Sequence, residues 1–143
     1  MRRARAAGMD LTGWMLARLL PDEGIRLRAL VRDLRAREDP SFVLAELNSF
    51  LSSLSASGLT AALELPPDAL PDELRANQLA AMIETAAQRL GVSPPRWVDE
   101  ILPLRTPWFA SSLMSLRLHL LTRSPAAFRR RNLFVDATLG DRA

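Results

Sequence analysis

The chain has 143 residues, 48% of them hydrophobic, and a formal net charge of +3. That length supports one domain with a working core, and the composition excludes global disorder. The absence of Cys excludes a disulfide framework and any thiolate metal site.

All 19 basic residues are Arg. They are unevenly spread. Residues 1–37 hold nine Arg against four acids, residues 38–122 five against ten, and residues 123–143 five against two. Basic ends suit an acidic partner or a phosphate backbone, but +3 is too small to argue nucleic-acid binding alone. No apolar run approaches the roughly 18 residues of a membrane span. The start, Met1 to Arg5, has no apolar stretch behind it, so we expect no signal peptide and a cytoplasmic protein.

Residues 1–8 read as a basic tail. Asp10 is placed to cap a short helix carrying Leu11, Trp14, Met15 and Leu19. After Pro21, Asp22 and Glu23 open a helix over 22–37, where acids suit the N-terminal dipole. Its apolar face is Ile25, Leu27, Leu30, Val31 and Leu34, with Arg26, Arg28, Arg32, Arg35 and Arg37 on the remainder. Ser41 is expected to cap a third helix burying Phe42, Ala45, Leu47, Phe50, Leu51 and Leu54. It should fray through the Ser-rich run after Ser52 and stop at Gly58, with 59–65 leaning helical. Residues 66–71, rich in Pro, mark a linker or subdomain boundary. Asp72 and Glu73 then open a strong helix to Arg89, with Gly91 at its left-handed C-cap.

Three Ser/Thr-Pro steps follow. Ser93-Pro94 predicts a helix burying Trp97, Val98, Ile101 and Leu102. Thr106-Pro107 predicts another, burying Trp108, Phe109, Leu113, Leu116, Leu120 and Leu121. Ser124-Pro125 predicts a short one with Phe128 inward and Arg129 to Arg131 outward. Leu133 to Val135 is β-prone, and Asp136 or Thr138 can cap a last turn. The expected fold class is all-α: a compact multi-helix bundle of short helices with one minor β-bridge near the C-terminus. Residues 1–65 and 71–143 form N- and C-terminal helical regions of one compact unit.

Chemistry-bearing motifs are sparse. Leu90-Gly91-Val92-Ser93 between two helices has the cadence of a helix-turn-helix. The base-reading positions would be Pro94, Pro95 and Arg96, then Asp99 and Glu100, which suits a capped helix junction better. His119 has no second His or Cys at ligand spacing, so no metal site is expected. Adjacent acids such as Asp99-Glu100 do not face each other on a helix. No phosphate loop, dinucleotide fingerprint or nucleophile elbow is present. The expectation is a non-enzyme without cofactors.

The run Leu90 to Val98, then Pro107-Trp108-Phe109, then Ser124-Pro125-Ala126-Ala127-Phe128-Arg129-Arg130-Arg131-Asn132-Leu133-Phe134-Val135 resembles the C-terminal region of a group of bacterial proteins. These are helix-turn-helix regulators and antitoxin-like proteins encoded beside nucleotidyltransferase-type toxins. The resemblance covers about residues 70–143. It implies a protein-binding regulator that neutralises a cognate protein, with a nucleotidyltransferase-type toxin as one such partner, and it transfers no catalytic residue. On this reading Arg26, Arg32, Arg129, Arg130 and Arg131 pair with a partner's carboxylates and Trp108 anchors the contact. The alternatives are a DNA-binding regulator using the same Arg surfaces, and a homo-oligomeric scaffold.

Overall fold

The computed structural model describes residues 22–110, 120, 121 and 123–135. Among these, six helices and a two-stranded bridge enclose one core, so the fold is mostly α with a minor β element. The expected first helix around Trp14, the positions of Leu113, Leu116 and His119, and the last turn after Asp136 lie outside the described residues.

Helix α1, Asp22–Ala36, opens on Asp22 and Glu23 and carries Arg35 in its last turn, matching the dipole at both ends. Leu27, Leu30, Val31 and Leu34 recur at helical spacing and are buried. Ile25, expected on that face, is 43% exposed; it stands two positions from Leu27 and so on another side of the helix.

Helix α2, Ser41–Ser53, buries Val43, Leu47, Asn48 and Leu51. This corrects the expected face: Phe42 and Ala45 point outward. The N-cap position is Pro40 rather than the expected Ser41, and the side-chain acceptor is the residue before it. Asp39 Oδ1 accepts from the Ser41 backbone N–H (3.0 Å) and from its hydroxyl (2.8 Å). Nor does the Ser-rich end fray to Gly58. Ser55 accepts from Gly58 N–H (3.1 Å) and starts α3, Ala56–Ala62, which buries Leu59 and Ala62. Serine is a good N-cap, so a run of serines begins a helix as readily as it ends one.

Helix α4, Glu73–Leu90, is the central element. Asp72 caps it by accepting from Leu74 N–H (2.9 Å), and Gly91 ends it at φ 71°. Val92 N–H returns to the Ala87 carbonyl (3.0 Å), closing a Schellman-type end. Its nine buried residues wrap most of its circumference, because α2, α3, the one-turn helix α5 (Arg96–Asp99) and α6 (Ala126–Arg129) all pack on it. Residues 66–71 therefore connect two halves of one core.

Near the C-terminus the start of the helix expected from Thr106 is instead strand β1, Trp108–Phe109, which pairs in parallel with β2, Leu133–Phe134, while Leu120 and Leu121 at the far end of that expected helix are helical. Trp108 N–H donates to the Asn132 carbonyl and Ala110 N–H to that of Phe134, both at 2.9 Å. A ladder partner 25 residues away wins over a local capping signal. The Phe109 and Phe134 rings stack at 5.0 Å. Two further corrections concern leucines: Leu102 is 79% exposed and Leu121 43%, whereas both were expected in the core. Leu120 and Phe128 are buried as expected.

Four arginines tie these elements together through backbone carbonyls. Arg75 donates to Leu34 (2.7 Å), Arg37 and Glu38 (2.7 Å), closing the C-terminal end of α1. Arg89 reaches Leu51 and Ser52 at the end of α2, and Arg28 holds the Pro66 carbonyl (2.8 Å). A helix C-terminus carries partial negative charge and orphan acceptors, so a cation there serves both needs. Arg131, the fourth, is the most buried. No described helix is long and apolar enough to cross a membrane.

Candidate functional site

Among the described residues no group of three or more His, Asp or Glu converges to hold a metal ion.

Helix α2 carries two stripes. Val43, Leu47 and Leu51 face the core. Phe42, Ala45 and Ser49 are exposed and, with Glu46, the half-buried Phe50 and Arg26 of α1, line a shallow open groove; Phe50 also packs against the core. Phe42 is 62% exposed, and the Arg37 guanidinium sits 5.9 Å from its ring centre, within cation–π range. Arg26 lies across from Glu46 at 3.7 Å, and both side chains are largely in water, so that pair contributes little to stability. Phe42 was missed as a surface residue because an aromatic at the start of an amphipathic helix reads as core. The detectable signal was the second i, i+3, i+4, i+7, i+8 set beginning at Phe42.

The expected partner-binding residues separate into three kinds. Arg26, Arg32, Arg129 and Arg130 are exposed. They stand on different elements: α1 packs on α2 and α3, whereas α6 packs on α4 and β2. Trp108 is half-buried in β1 and packs against the core, so its first role is structural. Arg131 corrects the expectation of an outward Arg run, being only 5% exposed.

The surroundings of Arg131 explain its burial. Nε and Nη2 meet Glu84 Oε1 (2.8 Å) and Oε2 (3.1 Å) in a bidentate pair. Nη1 donates to Asn77 Oδ1 (2.8 Å) and the Ile101 carbonyl (2.7 Å), and Nη2 also to the Val98 carbonyl (3.0 Å). All five guanidinium N–H groups therefore have an acceptor. Asn77 in turn donates to the Glu73 and Leu102 carbonyls, each at 3.0 Å. This network ties α4, the end of α5 and the turn before β2 into one unit.

The neighbouring motif residues have structural roles of the same kind. The Ser124 hydroxyl lies within hydrogen-bonding reach of the Leu120 carbonyl and accepts from Val135 N–H (2.9 Å). Phe128 fills the core, and Asn132, at φ 63°, donates to the Leu104 carbonyl (2.7 Å). Within residues 124–135, Ser124, Phe128, Arg131 and Asn132 thus build the C-terminal fold, while Arg129 and Arg130 are exposed. The Leu90–Ser93 junction leads into α5, a single turn whose Arg96 and Glu100 pair with each other at 3.8 Å. Searches with this chain find no matching family model, no matching curated protein and no matching solved structure.

Proposed function

We propose that this protein is a non-catalytic binding regulator of the cytoplasm that acts by occluding a partner protein, with the α1–α2 groove as its contact surface. The observation that carries this reading is the 62% exposure of Phe42 beside the Arg37 guanidinium, in a groove that Arg26 also lines. Exposed aromatic and Arg side chains are the residue types that dominate interface energetics. Covering a Phe side chain returns about 1.5–3 kcal/mol, enough to anchor a contact. The narrower antitoxin-like role, with a nucleotidyltransferase-type toxin as partner, is supported by the resemblance of residues 70–143.

The test is capture of partners from native lysate, with and without nuclease, by the intact protein and by Phe42→Ser and Arg26→Glu. One stoichiometric protein that survives nuclease and is lost with Phe42→Ser supports the proposal and names the target. Partners lost on nuclease treatment point instead to a DNA-binding regulator. A partner retained by both variants removes the groove from the contact.

A further inference from the structure

A second concave feature lies away from the groove. The segment joining α3 to α4 arches over the first turns of α4 and leaves a cavity of about 200 Å³. Its walls are Pro66, Leu70, Leu79, Trp97 and Ile101, with Ala76 at one side. The two adjacent prolines, Pro66 and Pro67, stiffen the arch because their φ angles are locked. Trp97 is pinned by its indole N–H, which donates to the Leu63 carbonyl at 3.2 Å.

Two polar groups of this wall are directed to other protein partners. The Trp97 N–H is taken by Leu63, and the Pro66 carbonyl accepts from Arg28 at 2.8 Å. Asp68 stands at the rim, 64% exposed and 3.8 Å from Arg28, so the mouth carries one charge of each sign. The two charges at the mouth offset each other, and apart from Asp68 the lining side chains are apolar. Volume narrows the occupant further. Sites for drug-sized ligands span roughly 300–1,000 Å³, whereas a dry apolar cavity of about 150 Å³ takes one benzene ring. We propose that this cavity binds a small uncharged aromatic compound of one ring or two fused rings. The site is separate from the α1–α2 groove and does not depend on it.

Indole is a suitable probe, titrated into the full chain while the Trp97 indole N–H resonance is followed by NMR. The expected result is saturable one-to-one binding that moves this resonance. Indole-3-acetate, which adds a carboxylate, should bind at least about ten-fold more weakly. Ala76→Leu and Ala69→Leu both grow a side chain into the space and should each weaken indole about ten-fold or more. Ala69 is exposed on the arch, so its variant keeps the test open if Ala76→Leu disturbs packing. Phe42→Ser should leave indole binding unchanged. Absence of saturation, equal affinity for the carboxylate, or undiminished binding by both filled variants overturns the proposal. Equal or tighter binding of N-acetyltryptophanamide overturns it in favour of a pocket for a partner's side chain.

Discussion

The guanidinium of Arg131 lies fork to fork on the carboxylate of Glu84, 47 residues away, with contacts of 2.8 and 3.1 Å. Both side chains are mostly withdrawn from water, at 6% and 16% exposure. Removing one partner of a buried pair leaves the other desolvated and uncompensated, which costs about 3–5 kcal/mol. Arg131→Met should lower stability by about that amount in urea denaturation. Arg131→Lys should recover little, since a compact ammonium cannot span five acceptors. Combining Arg131→Met with Glu84→Leu should be milder than the sum of the singles. A loss below about 1 kcal/mol for Arg131→Met would show that the network does not hold the C-terminal region.

Charge reversal across the Arg run should split by residue. Arg129→Glu and Arg130→Glu, both on the surface, should change stability by no more than about 0.5 kcal/mol. Arg131→Glu should leave a poorly folded protein, read from lost near-ultraviolet circular dichroism. Equal effects at the three positions would contradict the burial of Arg131 alone.

Asn132 holds the left-handed conformation and the Leu104 carbonyl at once. Asn132→Ala loses the bond and strains the backbone, at about 1–3 kcal/mol. Asn132→Gly loses the bond but fits the angle, so it should be the milder of the two in thermal melts. The reverse order would place the cost in something other than φ.

Acid should act at the start of α2. The Ser41 backbone N–H, the Ser41 hydroxyl and then the Arg75 guanidinium hold the Asp39 carboxyl below its ordinary value. A depressed folded value means the stabilisation is present above the unfolded value, about 3.9. It is lost as pH falls through the folded one. The stability difference between the natural protein and Asp39→Ala should therefore be constant near neutrality and disappear only in the acid range below about pH 4. Titration of the Ser41 amide shift should show the same transition. A midpoint at or above the ordinary carboxylate value would remove Asp39 as the acceptor that holds the start of α2.

Helix capping was legible in part. Asp72 and Gly91 bound α4 as their residue types require, because those signals act within a few residues. Phe128 and Leu133 were also legible, as apolar positions beside a strong boundary. Phe42, Leu102 and Leu121 were not. Hydrophobicity says that a side chain prefers burial, but which stripe of a short helix is covered depends on the neighbours it meets. Asn48 and Gln78 lie on buried faces that a binary pattern assigns to apolar residues.

The candidate site was less legible than the fold. The Arg positions are visible in the chain, yet Arg28, Arg75 and Arg131 turn inward while Arg32, Arg129 and Arg130 do not. Local spacing cannot separate them, because each inward Arg is chosen by carbonyls 30 or more residues distant.

By itself the sequence determined the helical class, the extents of α1 and α4, and the buried stripe Leu27, Leu30, Val31 and Leu34 of α1. Each follows from capping chemistry and from periodicity within a turn or two. Only the tertiary structure decided that Thr106-Pro107 leads into a strand, that Arg131 is buried, and that Phe42 faces water. Those outcomes rest on distant acceptors: the Asn132 and Phe134 carbonyls for β1, and Glu84, Asn77, Val98 and Ile101 for Arg131. The Arg131 guanidinium exchanges its hydration for five acceptors brought together from distant parts of the chain, and that gathering is a property of the packed chain.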